Sequence, residues 1–444
     1  MRQGPGTNQF AARYPQAGRF DGVLRFLTAG ESHGQALVVI VEGLPAGVEV
    51  TVEDLANQLA RRRLGFGRGP RMRFEQDELT ILAGVRHGRT LGSPVAVMIG
   101  NSEWSRGKWN AEMSPAPGAT EAPLTKVRPG HADLAGMQKY GFDDARDVLE
   151  RASARETAAR VVAGTLARLL LEALGVAIVS HVVSIGDVAV TSGYRPTPDD
   201  VESVDASPVR CGDPVAAEAM GDAIRDAARD GDSLGGVAEV LAYGVPVGLG
   251  SHVHWDRKLD GLLAQALMSI HAVKAVEIGD GADLATRRGS QAHDAITFDA
   301  DEGTYQRATD RAGGLEGGIT TGGLLAARVS MKPLATLNRP VLATVDTATN
   351  EPSVSFRERT DVTAVPALGV VAEAMVALTL ANEALRKFGG DSVAEMTRNA
   401  SSFAEQVASQ TVATTTAAGD VELNWDEQLA FADGDDTATP PGGR

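Results

Sequence analysis

The sequence predicts an α/β chain folded as two related halves, and three observations carry that prediction. Residues 30–47 align without gaps to 231–248, with seven identities in eighteen positions at a constant offset of 201. Gly84, Gly88, Thr90 and Gly92 recur as Gly314, Gly318, Thr320 and Gly322, now 230 residues on. A stretch of helical spacing follows each copy, over 51–63 and over 256–270. Three blocks in one order indicate internal duplication.

The elements follow in order. Val23 to Thr28 and Ala36 to Val41 read as strands joined through Gly30-Glu31-Ser32-His33-Gly34. Thr51 and Asp54 open the first helix. Residues 79–99 suggest two more strands, and 101–126 lack periodicity and read as a long loop. Pro129 and Gly130 force a turn that puts Arg128 and His131 on a loop. Ser153 and Glu156 have capping-box spacing, and Val161, Val162, Leu166, Leu169, Leu170 and Leu174 give the next helix one apolar face, ended by Gly175. The second half closes with a helix from Val370 to Phe388. The expected organisation is a flexible extension (1–21), one domain (22–390) with halves at about 22–190 and 226–390, and an acidic, disordered tail (391–444) with a short helix around Trp425 to Phe431.

Composition narrows the function. The net charge of -16 argues against a nucleic-acid binder. No apolar run approaches the roughly 18 residues of a membrane span, and the first 20 residues lack the apolar stretch of a signal peptide. One cysteine, Cys211, excludes an intramolecular disulfide framework, as in a reducing cytoplasm. Yet Arg61, Arg62, Arg63, Arg68, Arg71 and Arg73 crowd into thirteen residues, which points to an anionic ligand. Arg151 and Arg155 flank a helix start, where backbone N–H groups also favour anions.

His33 and His131 are the candidate acid–base groups, because imidazole titrates near neutrality. His252 and His254 alternate like strand-borne ligands, but no third ligand accompanies them, so no metal is expected. The glycine-rich run Gly313–Gly323 lacks the Gly-Lys-Ser/Thr of a Walker loop and the dinucleotide fingerprint. Such a run can still cradle a phosphate or a flat ring.

Taken together, these stretches resemble chorismate synthases. The matching motifs are Gly30–Gly34, Arg61-Arg62-Arg63, Arg128-Pro129-Gly130-His131-Ala132-Asp133, Ser153–Thr157, Ala266–Ile270, Val276–Gly281, Arg288-Gly289-Ser290 and Gly313–Gly323, in order over about residues 22–390. The resemblance implies a β-α-β sandwich, a cytoplasmic homotetramer, and anti 1,4-elimination of phosphate from 5-enolpyruvylshikimate-3-phosphate to give chorismate, with reduced FMN. It implies that His33 protonates the departing phosphate, that His131 stabilises the reduced flavin near its pyrimidine edge, and that Asp361 is a catalytic residue beside flavin N5, which helps remove the ring proton. Arg63, Arg128 and Arg155 would bind substrate. Arg62, Arg68, Arg151, Ala152, Ser153, His271, Ala272, Gly317, Lys332, Pro333, Leu334, Ala335, Thr336 and Arg359 would bind the flavin. Ala152 stands where many members have serine, and His271 where an Asn is common. Either NADPH or a separate flavin reductase would supply the electrons. The alternative is an NADPH-dependent flavin reductase or other oxidoreductase using the same anion pocket.

Overall fold

The computed structural model describes residues 23–69, 77–107, 109–118, 122–191, 193–299, 303–356 and 360–417, with side chains to residue 409. The predicted extension and Trp425–Phe431 lie outside these residues. Two antiparallel sheets form the outer layers, with burial alternating along the central strands of the first and running through consecutive residues in those of the second. The first orders its strands β1-β2-β4-β3, from β1 (Arg25–Ala29), β2 (Ala36–Glu42), β3 (Glu78–Ala83) and β4 (Val95–Gly100). The second orders its strands β8-β9-β7-β5-β6, from β5 (Ala177–Ile185), β6 (Val188–Ala189), β7 (Gly236–Tyr243), β8 (Val273–Ile278) and β9 (Leu325–Met331).

Five helices matter for the site and the core. They are α1 (Val52–Arg63), α2 (Arg146–Ala152), α3 (Thr157–Glu172), α4 (Leu259–Met268) and α5 (Val365–Phe388). Helices α3 and α5 pack on each other between the sheets, α3 against β2 and α5 against β5 and β7. Gly164 permits the approach, since a Cβ there would lie 2.3 Å from that of Ala374. The layers are sheet, helices, sheet: the β-α-β sandwich. Contrary to the expectation that no apolar run reaches membrane-span length, helix α5 is long and apolar enough to cross a membrane, but 89% of that window is buried inside the protein.

The duplication is written in the hydrogen bonds. Leu37 pairs with Ile99 between β2 and β4, and Ala238 with Val329 between β7 and β9, which are the same positions at offsets of 201 and 230. Thr90 Oγ1 accepts from Val48 N–H and donates to Pro45 O; Thr320 Oγ1 accepts from Leu249 N–H and donates to Pro246 O. Leu91 N–H donates to Gly84 O, and Thr321 N–H to Gly314 O, at 3.0 Å each. The Gly313–Gly323 run is therefore the second copy of a hairpin, Leu315–Glu316 with Ile319–Thr320, matching Val85–Arg86 with Arg89–Leu91. Its glycines serve turns.

Two expectations change. The tail does not lose order at 391. Helix α6 (Val393–Ala417) follows, because Met396 is fully buried, Phe403 packs on Phe388, and Asn399 caps the carbonyl of Phe388 at 2.8 Å. Averaging composition over the whole of 391–444 hid that apolar spacing, since most of the acidic residues lie beyond Ala417. The helix around Ser153 is also interrupted. Ser153 is extended (ψ 143°) and divides α2 from a short 3₁₀ turn leading into α3. Its hydroxyl accepts from Arg155 N–H, but Glu156 instead accepts from Thr28 and Arg160, so the capping box does not close.

Candidate active site

One cavity of about 960 Å³ opens where the β1–β2 turn, the Arg128–Asp133 loop, the α2–α3 break, the α4–β8 turn, the segment after β9 and the start of α5 converge. That is the upper end of small-molecule pocket sizes, with room for two ligands. Its lining includes His33, His131, Asp361, Arg62, Arg68, Arg128, Arg155, Ala152, Ser153, His271, Ala272 and Lys332 to Thr336. Arg63, Arg151 and Gly317 do not line it, and Arg359 lies outside the described residues. Arg151 turns away, donating to the carbonyls of Thr28 and Gly30. Gly317 sits on the distant-copy hairpin, beside His252.

His33 is 8% exposed and heavily braced. Its Nδ1 lies 2.8 Å from Glu150 Oε1, and its backbone N–H donates to Glu150 Oε2 at 2.8 Å. The Trp109 ring covers the imidazole with centroids 4.2 Å apart. Nε2 lies 3.8 Å from Glu103 Oε2, a carboxylate that also accepts from Trp109 Nε1. Burial alone would raise the Glu150 carboxyl, but the hydrogen bonds from His33 and the charge of Arg146 hold it below the usual value.

His131 has a local brace. Its Nδ1 bonds Asp133 Oδ1, and Arg128 clamps the same carboxylate through its backbone N–H and Nε. Asp133 is fully buried, which by itself would raise its pKa. Hydrogen bonds from His131 and Arg128 reverse that and keep it far below the usual range. Asp361 accepts from Gly69 N–H and pairs with Arg68 at 3.2 Å.

The arginine cluster divides by role. Arg61 does not line the cavity and pairs instead with Glu373 on α5 and with Asp205. Arg62 donates to Thr157 Oγ1 and Ala154 O, fixing the α2–α3 break, and Arg155 pairs with Asp77 and donates to Asn101. Sequence reasoning missed Arg106 and Lys274, which add cations to the lining, as well as Trp109 and Glu150. None of these had a local motif to mark it.

The α4–β8 turn carries strain. Ala272 is left-handed (φ 63°), held by Lys332 N–H donating to its carbonyl at 3.0 Å. A non-glycine residue there costs about 1–2 kcal/mol. Beside it, His271 Nδ1 is buried with no hydrogen-bond partner among the described residues, 3.9 Å from Glu156. Burial lowers the His271 pKa, with the charges of Arg160, His131 and Arg151 acting in the same direction against the pull of Glu156. The residue itself lines the cavity.

Residues 24–385 match the family model described as chorismate synthase. The chain is 61% identical to the chorismate synthase of Salinispora tropica over 390 residues, covering 86% of this chain and 98% of that one. It is 60% identical to that of Streptomyces coelicolor over 393 residues, with the same shares covered. The fold is similar to a solved structure titled "Crystal Structure of Chorismate Synthase", with a TM-score of 0.70 at 39% identity, covering 87% of this chain and 98% of the other.

Proposed function

The chain belongs to the chorismate synthase family of carbon–oxygen lyases, and from that premise we propose that it eliminates phosphate from 5-enolpyruvylshikimate-3-phosphate in an anti 1,4 sense, using reduced FMN. The observation that carries the proposal is the cavity. In a protein of net charge -16, arginines and lysines line one pocket that also holds two carboxylate-backed imidazoles.

The residues fit a flavin phosphate and ring. Arg68 and Lys332 offer cations, Leu334, Leu368 and Val371 an apolar wall, and His271 a buried ring nitrogen. With Ala152, Ser153, Ala272 and the remaining residues from Pro333 to Thr336, they would hold FMN. When bound, the reduced flavin supplies an electron-rich ring to a reaction that is redox-neutral overall.

The chain's own groups then divide the work. Arg128 and Arg155 attract the substrate's anionic groups. His33 presents Nε2 to the cavity and gives its proton to the departing phosphate oxygen. His131, fixed by Asp133, stabilises negative charge on the neighbouring ligand. Asp361 assists loss of the ring hydrogen as a proton. General acid–base assistance of this kind is worth about 10²–10⁴-fold.

The protein is proposed to act in the cytoplasm as a homotetramer. The outer face of the first sheet, with Leu27, Ile40 and Leu82 exposed, supports a contact between copies. Anaerobic turnover tests the reaction, following phosphate release and chorismate absorbance with oxidised or chemically reduced FMN. Product only with reduced flavin is expected. No product with reduced flavin, from folded protein, overturns the reading. NADPH added to oxidised FMN separates self-reduction from dependence on another reductase.

A further inference from the structure

We propose that Glu150 is the positioning residue of His33, fixing its proton on Nδ1 so that Nε2 alone exchanges protons with the cavity. The inference rests on the reading of His33 as general acid. Glu150 is 3% exposed, and both its oxygens are engaged. Oε1 accepts from His33 Nδ1 and, at 3.0 Å, from Arg146 Nη1; Oε2 accepts from the His33 backbone N–H. Residues 33 and 150 are thus clamped as one unit through ring and backbone together. Ser32 N–H adds a bond to the Glu150 carbonyl at 3.0 Å.

An ionised carboxylate has no proton to give. Facing Glu150, Nδ1 must therefore carry hydrogen whether the imidazole is neutral or charged. Only Nε2 changes state. Among the described residues, the charged groups near the ring include Glu103, 3.8 Å from Nε2, and Arg146, which stands over Trp109 at 5.0 Å and pairs with Glu112 at 3.3 Å. Arg146 balances the Glu150 charge without touching the ring nitrogens. Trp109 shields the pair from water.

The Glu150→Gln variant tests this. Its amide can donate to Nδ1 and so stabilise the wrong tautomer, with hydrogen on Nε2. Nitrogen-15 NMR of histidine-labelled protein, with His33 assigned by its loss in His33→Ala, reads the tautomer without any ligand. The wild type is expected to show Nδ1–H, and Glu150→Gln to lose it and to lower the His33 pKa. In turnover, kcat should fall by about 10²-fold with KM changed little, and the alkaline limb of the pH profile should move to lower pH. Glu150→Asp, which keeps the carboxylate, should recover the tautomer and part of kcat, and it serves as the test if Glu150→Gln does not fold. An unchanged tautomer and pKa, or a kcat within threefold of wild type, overturns the proposal. Wild-type protein inactive with reduced FMN would sink the proposed reaction instead, leaving the NMR result to decide the Glu150–His33 pairing.

Discussion

The two halves share a frame and differ in what hangs on it. The turn Gly30-Glu31-Ser32-His33-Gly34 has its copy in Gly231-Asp232-Ser233-Leu234-Gly235, so an imidazole in one half faces an aliphatic chain in the other. On the outer faces, the cross-strand pair Val38–Met98 in the first sheet corresponds to Glu239–Arg328 in the second. The first pair is half-buried on the apolar outer face. In the second, Glu239 is buried and paired with His181, Arg195 and Arg328. Positions that close turns and ladders repeat, whereas those that face a cavity or solvent have diverged. The duplication accordingly supplies two scaffolds and one site.

The comparison breaks most visibly at the paired turns. His33→Ala should lower kcat by about 10²–10⁴-fold, whereas Leu234→Ala should leave kcat within a few-fold and cost only stability, about 1–2 kcal/mol for a half-buried leucine. Steady-state kinetics and urea unfolding of both variants check this. Equal kinetic losses would mean that both turns act in one site.

Next in size are Gly84 and Gly314. Both are left-handed (φ 82° and 74°), and a Cβ would lie 2.4 Å from the carbonyl oxygen of Pro94 or of Leu324. Alanine at either should cost roughly 4 kcal/mol, strain and overlap together. Matching losses in denaturant midpoint would sharpen the equivalence of the hairpins.

The outer faces differ in acid. Burial alone would raise Glu239, but the His181 hydrogen bond and the charges of Arg195 and Arg328 bring it from 4.5 down to about 2. A depressed carboxyl contributes stability that is fully present above pH 4.5 and is lost as pH falls through 2, on the order of 3 kcal/mol. Glu239→Gln should flatten the fall in unfolding free energy over that window. Val38→Gln, at the matching position, should leave the slope unchanged.

What the sequence disclosed follows from how far apart the partners lie. The Arg128, His131 and Asp133 loop was legible because its partners are two to five residues apart. Glu150 was not, since it meets His33 across 117 residues, a distance that the order of β1, β2 and α2 alone closes. Arg61 looked like a ligand cation because its neutralising Glu373 lies 312 residues away. The frame itself was readable, since duplication prints the same glycines and threonine twice. For that reason the Gly313–Gly323 run misled: its composition suited a phosphate loop, while its offset of 230 already marked it as a copied hairpin.

The smallest effect tests the frame most directly. Thr90 and Thr320 are 3% and 2% exposed, and each hydroxyl bridges one backbone N–H to one proline carbonyl. Valine keeps the shape of the side chain and removes both bonds, leaving a buried N–H and C=O without the hydroxyl. Thr90→Val and Thr320→Val should each cost about 1–2 kcal/mol. The two sites share no hydrogen-bond partner, so the double variant should lose the sum to within about 0.5 kcal/mol. Urea unfolding of the three variants decides it. Equal, additive losses mean that the copied hydroxyls still carry equal shares of two independent scaffolds. A loss confined to Thr90 would mean that the half holding His33 alone depends on its frame, with the second copy held by α5 and the buried ion pairs instead.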